Sequence, residues 1–296
     1  MHILIVGGTG GVGRELVKIC LSRNHTVTVG TRDSSKIETL LKFLKVGPEC
    51  ARIKFEVGDY TERSFWLRLR EDKSRFFDGI VLSSGGVEFH SVFEATSESV
   101  QDNIRMHLNP SLFGIQHGRW ELEERNETGM EPRRVSVVSV GSSDCEEGEM
   151  DGAEYVIAKH ALLGLFRSSC CDMFGLENSL RIALCIPNNI ETGFWDGLKK
   201  DSGMTRAPGI RIGSTPRCSC RLAHSSTPAV SPFVLSSRIS RNGWGRDTTV
   251  IGGDDGVLVF GEQAEDDDEE LMIEMEALSA ERVARHLFEL LVHDWG

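Results

Sequence analysis

The chain has 296 residues, of which 40% are hydrophobic and 26% charged, and this balance excludes a disordered or fibrous protein. The formal net charge of −12 argues against a nucleic-acid partner, and no apolar run is long enough to span a membrane. The eight cysteines lack zinc-type spacing and no secretory signal precedes the first predicted strand, so we expect reduced thiols, no metal site and a cytoplasmic location.

The first 195 residues alternate between short apolar runs and longer amphipathic runs. Such alternation predicts a parallel sheet that helices cover on both faces, which is the doubly wound α/β arrangement of the Rossmann fold. The predicted strands are 2–6, 26–29, 52–57, 79–82, 134–140 and 180–186, and the predicted helices between them are 13–22, 35–44, 97–106 and 152–174.

A glycine-rich turn follows the first predicted strand and opens a predicted helix. Its glycines fit two patterns, G-x-G-x-x-G from Gly8 and G-x-x-x-G-x-G from Gly7. Glycines allow the backbone to approach a pyrophosphate closely, and the helix N-terminus offers free N–H groups to it. We therefore predict a dinucleotide site at Gly7, Thr9, Gly10, Gly11, Val12 and Gly13.

The end of the second predicted strand carries both residue types that distinguish the two nicotinamide cofactors. An acid here usually binds the ribose hydroxyl of NAD, whereas an arginine accommodates the 2′-phosphate of NADP. Arg32 comes directly after the strand, Asp33 follows it in the loop, and Arg14 offers a second positive charge. This count of cations favours NADP, with NAD as the alternative.

Ser142, Tyr155 and Lys159 form the strongest chemical pattern in the chain. A Tyr-x-x-x-Lys pair places both side chains on one helix face, where the ammonium is expected to lower the pKa of the phenol. With the serine thirteen residues upstream and the glycine turn, the sequence resembles the short-chain dehydrogenase/reductase family over residues 1–195. The resemblance implies that Tyr155 is the acid/base, that Ser142 holds the substrate oxygen and that Lys159 also contacts the cofactor.

Other positions match the family in the same order along the chain. The resemblance implies that Asp59 pairs with the adenine, and that Asn109 is the fourth catalytic residue, with Asn103 as a weaker candidate. It further implies cofactor contacts from Ser83, Ser84, Gly85, Pro187, Ile190 and Thr192.

The C-terminal part, residues 196–296, departs from the family although we expect it to belong to the same single domain. Residues 201–246 are basic and broken by prolines, and 262–270 form an acidic run. Residues 248–261 predict strand, turn and strand, and 279–292 predict an amphipathic helix with Ser279 as its N-cap. Either 256–260 is the last strand of the family, or 279–284 begins its penultimate helix and 196–276 is an enlarged substrate loop.

These observations predict an NADP(H)-dependent enzyme that interconverts a carbonyl and an alcohol on a small-molecule substrate. The alternative is a non-catalytic NAD(P)-binding regulator of the NmrA-like kind, which the complete serine, tyrosine and lysine set argues against. A third hypothesis is a protein-interaction role for the basic and acidic C-terminal segments. By resemblance alone, we expect a homodimer or homotetramer.

Overall fold

The computed structural model describes residues 1–72, 76–86, 90–129, 134–146, 148–172, 179–187 and 278–292, and the backbone of four short strands between 190 and 259. The elements of the first part are β1 His2–Val6, α1 Gly11–Ser22, β2 Thr26–Thr31, α2 Lys36–Leu44, β3 Ile53–Val57, α3 Arg63–Glu71, β4 Gly79–Leu82, α4 Ser97–Glu127, β5 Val135–Val140, α5 Ala153–Asp172 and β6 Leu180–Cys185. All six predicted strands are present within two residues of their predicted ends.

The strands form one sheet in the order β3-β2-β1-β4-β5-β6, and all six are parallel. Successive side chains of β1 face opposite sides of the sheet, so that Ile3 and Ile5 pack on one side while Leu4 and Val6 pack on the other. Helices α1 and α2 contribute buried side chains to the core on the first side of the sheet, and α3 and α5 contribute them to the core on the second side. The fold is therefore the predicted doubly wound α/β arrangement.

Two helices differ from the sequence predictions. Helix α3 is not among the predicted helices; four of its nine residues are charged, and Phe65, Trp66 and Leu69 on one face are buried. Helix α4 was expected to end at Met106 but continues to Glu127. Pro110 lies inside it and lacks a backbone N–H, but this loss does not end the helix, which packs against α5, β4 and β5.

The remaining elements come from the C-terminal part of the chain. They are β7 Ile190–Glu191, β8 Val234–Ser236, β9 Ile251–Gly252, β10 Leu258–Val259, β11 Leu278–Ser279 and α6 Ala280–Val292. Strand β8 joins the main sheet antiparallel to β6, whereas β9 and β10 pair only with each other among the described residues. The predicted strand, turn and strand of 248–261 is therefore this separate antiparallel pair.

Helix α6 packs on the main sheet beside α1. Its residues Leu287, Leu290 and Leu291 are buried in the same core as β1 and β2, and Ser279 Oγ accepts a hydrogen bond from the Arg282 amide at 3.2 Å. Residues 256–260 do not add a strand to the main sheet, because β10 pairs only with β9 among the described residues. The helix predicted at the other end of this region does pack on the main core, as α6. That 1–195 and 196–296 form a single domain stays a prediction, which this packing supports. Within the described residues, no helix has the length and apolar character needed to cross a bilayer.

Candidate active site

The glycine turn lies at the carboxyl end of β1, where the sheet continues to β2 on one side and to β4 on the other. Gly7 has a positive φ of 79°, and a Cβ there would lie 2.8 Å from the Ser84 backbone. A Cβ on Gly13 would lie 2.8 Å from Gly8 Cα. Both distances are too short for any side chain, so the turn requires glycine at these two positions.

Helix α1 begins directly after this turn, at Gly11. Gly10 is its N-cap and donates a backbone hydrogen bond to the Gly7 carbonyl at 2.9 Å, but no side chain caps the helix. The first N–H groups of a helix lack intrahelical partners, and they attract anions together with the helix dipole. The turn therefore presents a binding surface that fits a pyrophosphate.

The segment after β4 lies against the glycine turn. Ser83 donates to the Val6 carbonyl through its amide and its hydroxyl, both at 3.0 Å, and Ser84 contacts the position where a Gly7 side chain would stand. A crevice outside the carboxyl ends of two strands, at the point where the strand order reverses, is the usual ligand site of such sheets. The structure thus brings the Gly7–Gly13 turn together with Ser83 and Ser84, while a Cβ on Gly85 would lie 3.0 Å from the His107 ring.

Arg32 and Asp33 take different directions after β2. The Asp33 carboxylate accepts hydrogen bonds from the Ser35 amide at 2.9 Å and the Ser35 hydroxyl at 2.6 Å, so it is engaged at the start of α2. The exposed Arg32 guanidinium lies over the Tyr60 ring, 5.3 Å from its centroid. Burial raises the pKa of nearby Asp59, but hydrogen bonds from Thr61 and the charge of Arg32 make the net shift downward.

Two other predicted contacts at this end of the site also have local partners. Thr9 Oγ1 lies 3.4 Å from Thr31 Oγ1, which joins the glycine turn to the end of β2. Arg14 lies over the Phe43 ring at 4.7 Å, so its charge is on the surface between α1 and α2. Arg32 is therefore the better placed of the two predicted cations for a group bound at the end of β2.

The serine, tyrosine and lysine of the predicted catalytic set meet between β5 and α5. The Lys159 ammonium lies 5.3 Å from the Tyr155 ring centroid and donates to the carbonyls of Val140 at 3.2 Å and Gly141 at 3.4 Å. Ser142 follows β5 after Gly141, and its hydroxyl opposes the rise in the pKa of Tyr155 as a hydrogen-bond partner of the phenol. Tyr155 and Lys159 are both buried, 7% and 4% exposed.

The electrostatics around Tyr155 differ from the sequence prediction. Lys159 was expected to lower the pKa of Tyr155, but the pKa is raised, first by burial and second by the carboxylate of Asp144. The pKa of Lys159 is itself lowered, because burial disfavours its charge. The Tyr-x-x-x-Lys spacing contains neither the depth of this burial nor the position of Asp144.

Asn109 is not brought to the serine, tyrosine and lysine. Its amide donates to the Thr61 carbonyl at 3.1 Å, beside Asp59. His107 is two positions earlier on α4, which rotates its side chain by more than half a turn. Its ring stands edge-on to the Tyr155 ring, with centroids 5.2 Å apart and an interplanar angle of 84°. The side of α4 that faces Tyr155 therefore carries His107, whereas Asn109 points elsewhere.

His107 is a neutral ring at physiological pH. Its pKa is lowered to about 3, first by burial and then by the charge of Lys159. Nε2 lies 2.8 Å from the Gly86 carbonyl, which can only accept, so Nε2 carries the proton and Nδ1 is an acceptor. Nδ1 and the Asn103 Oδ1 one turn away are buried without a hydrogen-bond partner among the described residues. The sequence signal that indicates this pair is the spacing of four between Asn103 and His107, which puts both polar side chains on the same face of α4.

Replacing Asn109 with alanine should leave turnover within about threefold of the wild type, since its side chain serves the segment after β3. The lost hydrogen bond to Thr61 should lower the free energy of unfolding by about 1 kcal/mol. Steady-state turnover and denaturant unfolding measure the two effects. A group that moves a proton typically contributes about 100-fold or more to turnover. A loss of that size in a folded Asn109→Ala variant would show that Asn109 is a catalytic residue.

The last predicted contacts follow β6 and are only partly described. Pro187 is buried, and its carbonyl accepts a hydrogen bond from the Ser143 amide at 3.1 Å, which fixes this segment beside Ser142. Ile190 lies in β7, whose backbone pairs with β11. Thr192 lies outside the described residues.

The chain is similar to known proteins over the part that holds this site. The family model described as short chain dehydrogenase matches residues 1–203. Among relatives, short-chain dehydrogenase reductase 4 of Arabidopsis thaliana is 22% identical over 67% of this chain and 64% of its own length. The 3-dehydrosphinganine reductase TSC10B of the same plant is 24% identical over 72% of this chain and 62% of its own length. The match thus spans a little under two thirds of these relatives.

Solved structures resemble the same part of the chain. A short-chain dehydrogenase/reductase family oxidoreductase from Burkholderia thailandensis superposes with a TM-score of 0.57 at 19% identity, covering 69% of this chain and 74% of that one. Levodione reductase superposes with a TM-score of 0.58 at 20% identity, covering 69% and 77%. At these identities the likeness establishes the fold alone.

Proposed function

The chain belongs to the short-chain dehydrogenase family, and on that premise we propose that it is an NADP(H)-dependent oxidoreductase that interconverts a carbonyl and an alcohol. The observation that carries the proposal is the meeting of Ser142, Tyr155 and Lys159 beside the crevice of the glycine turn. A protein that only senses a dinucleotide has no need of a buried acid/base pair at this place, so the regulator hypothesis is less favoured.

The residues present fit a nicotinamide dinucleotide. Gly7 and Gly13 leave a cradle that side chains would fill, and the uncapped start of α1 supplies N–H groups for the pyrophosphate. We propose that the nucleotide is held by the turn and by Arg32, Asp59, Ser83, Ser84, Gly85, Pro187, Ile190 and Thr192. When bound, the nicotinamide supplies or accepts the hydride.

The chain's own residues handle the proton and the substrate oxygen. In reduction, Tyr155 donates its hydroxyl proton to the carbonyl oxygen as the carbon receives the hydride; in oxidation, Tyr155 takes that proton from the alcohol. Ser142 hydrogen-bonds the same oxygen and holds it beside the phenol. Lys159 donates to the Val140 carbonyl at the end of β5 and lies 5.3 Å from the centroid of the Tyr155 ring, from where it would contact a bound cofactor.

The preference for NADP rests on Arg32. Asp33 is engaged by Ser35, whereas the Arg32 guanidinium is exposed at the end of β2 and held over Tyr60. A planar guanidinium matches a phosphate group with paired hydrogen bonds. The local partners of the two side chains therefore favour the 2′-phosphate of NADP over the free ribose hydroxyl of NAD.

Replacing Arg32 with alanine should weaken NADPH binding by about tenfold or more, the value of a charge-assisted hydrogen bond, while NADH binding stays the same. Fluorescence titration with each nucleotide measures both constants. Arg119→Ala, which removes an exposed arginine paired with Glu123 on α4, is the matched control. An equal loss for NADH would mean that Arg32 supports the site in general rather than the phosphate.

The activity is tested by following the nicotinamide absorbance of NADPH with a panel of aldehydes and ketones. We expect consumption that requires both the carbonyl compound and an intact Tyr155. If the Tyr155→Phe variant consumes NADPH as fast as the wild type does, the proposed mechanism is contradicted. A homodimeric or homotetrameric state and a cytoplasmic location stay predictions.

A further inference from the structure

Glu154 carries a fully buried carboxylate that the proposed chemistry does not use, and it directly precedes Tyr155 in α5. Its Oε1 accepts hydrogen bonds from His90 Nδ1 at 2.7 Å and from the Ser99 hydroxyl at 2.8 Å. Its Oε2 accepts from the His90 amide at 3.2 Å, and the Ala153 amide donates to the His90 carbonyl, also at 3.2 Å. These hydrogen bonds join the start of α5 to the segment before α4 and to α4 itself.

The surroundings of this carboxylate keep it ionised. Burial raises the pKa of Glu154, but hydrogen bonds from its own backbone amide, Ser99 and His90 make the net shift downward. The first turn of a helix also favours negative charge. An ionised carboxylate can only accept, so His90 Nδ1 carries a proton. Glu154 therefore holds its partners by charge-assisted hydrogen bonds, which are about twice as strong as neutral ones.

Ser99 connects the carboxylate to the start of α4. Its hydroxyl accepts from the Thr96 amide at 3.0 Å, and the Thr96 hydroxyl accepts from the Ser99 amide at 3.1 Å, which forms a capping box. The single proton of the Ser99 hydroxyl has Glu154 Oε1 at 2.8 Å and the Thr96 carbonyl at 3.0 Å, so the charged acceptor is also the closer one. Glu154 thus fixes the first turns of α4 and α5 to each other.

Tyr155 depends on such support because it lies in the first turn of α5. The first N–H groups of a helix have no intrahelical partner, so helix ends open more readily than helix interiors. Tyr155 is the third residue of α5, whereas Lys159 is the seventh. The Tyr155 ring stands edge-on to His107, which lies about two turns after Ser99 on α4. The start of α5 is therefore fixed to α4 at Ser99 and again at His107.

We propose that Glu154 is a positioning residue, which acts through Ser99 and His90 to hold the first turn of α5 and thereby keeps the Tyr155 hydroxyl in the geometry for proton transfer. The inference rests on the proposed function for the role of Tyr155. A misplacement of about 1 Å in an active site can lower turnover by about 100-fold. The glycine turn and Arg32 lie on other elements, so NADPH binding should not depend on Glu154.

The position of Tyr155 can be followed without nucleotide or substrate, because the chain has only two tyrosines. In protein made with isotope-labelled tyrosine, nuclear magnetic resonance detects both rings, and the Tyr60→Phe variant assigns the signals of Tyr155. The His107 ring, edge-on at 5.2 Å, shifts these signals away from those of free tyrosine. A displaced first turn of α5 changes that shift.

The variants separate the contacts of the carboxylate from its charge. Glu154→Ala removes all of its hydrogen bonds, whereas Glu154→Gln can keep the two at Oε1. His90→Ala removes one partner at a half-exposed position, so it tests the same contact with little risk to folding. Glu98→Ala is the matched control, because it removes an exposed acid from the first turn of α4.

We expect the Tyr155 ring signals to move by more than their linewidth in Glu154→Ala, to move less in Glu154→Gln and His90→Ala, and to stay in place in Glu98→Ala. Turnover with a carbonyl substrate should fall by about tenfold or more in Glu154→Ala, while NADPH affinity stays within about twofold of the wild type. If Glu154→Ala does not fold, the comparison of His90→Ala with Glu98→Ala decides.

Unmoved ring signals in folded Glu154→Ala, or an equal movement in Glu98→Ala, would overturn the inference. Unchanged turnover in Glu154→Ala would overturn it as well. The ring signals are measured without nucleotide, so their result is independent of the proposed function. That function fails instead if the wild-type protein neither binds NADPH nor reduces a carbonyl compound.

Discussion

Tyr155→Phe should lower turnover by at least about 100-fold while NADPH binding stays within about twofold of the wild type. The substitution removes only the hydroxyl, which is the group that transfers the proton. The ring is retained, and with it the packing against His107 and the contact with the Lys159 ammonium. Turnover with a carbonyl substrate and titration with NADPH measure the two quantities separately.

The control for this variant is His160→Ala, which changes an exposed residue of α5 next to Lys159. It should keep both turnover and binding, because the His160 side chain is exposed and its ring hydrogen-bonds the Val156 carbonyl of its own helix. Full turnover in a folded Tyr155→Phe protein would contradict the assignment of the acid/base. Loss of NADPH binding in that variant would instead mean that the hydroxyl acts in binding rather than in proton transfer.

Gly13→Ala should weaken nucleotide binding by distorting the glycine turn itself. The new methyl group would overlap the Gly7 carbonyl and stand 2.8 Å from Gly8 Cα and 2.9 Å from Ser83 Oγ. Overpacking of this kind costs about 1–3 kcal/mol, which corresponds to about 5- to 150-fold in affinity if the turn shifts to relieve it. We expect weaker NADPH binding of that size together with a lower free energy of unfolding.

Gly164→Ala in α5 is the matched control, since a Cβ at that exposed position meets no atom within 4 Å. It should leave NADPH binding unchanged and should not lower stability, because alanine favours a helix more than glycine does. NADPH affinity and unfolding free energy are measured for both variants. Unchanged affinity in Gly13→Ala would place the nucleotide away from this turn.

The features that the sequence predicted well are those in which local pattern and tertiary structure agree. The strands are continuous apolar runs because both faces of the sheet are covered, and this is visible in residues 2–6 without a structure. The glycine turn is equally local, since the chain must pass from a strand to a helix within Gly7–Gly13. Tyr155 and Lys159 meet because one helix turn joins them.

The features that the sequence did not predict depend on how elements rotate and pack. The family resemblance that indicated Asn109 does not show which side of α4 faces α5, and it missed His107 two residues earlier. Helix α3 is stabilised by burial of Phe65 and Trp66 rather than by its charged sequence. The raised pKa of Tyr155 likewise results from burial and from Asp144, neither of which the Tyr-x-x-x-Lys spacing contains.

Direct titration with NADPH and NADH tests whether this chain binds NADP(H) at the carboxyl end of β1. The chain contains five tryptophans, so energy transfer to the bound nicotinamide reports binding without a known substrate. We predict saturable binding of both nucleotides, with NADPH about tenfold tighter or more because of Arg32. Tighter binding of NADH would contradict the assigned cofactor, and binding of neither would contradict the proposed function.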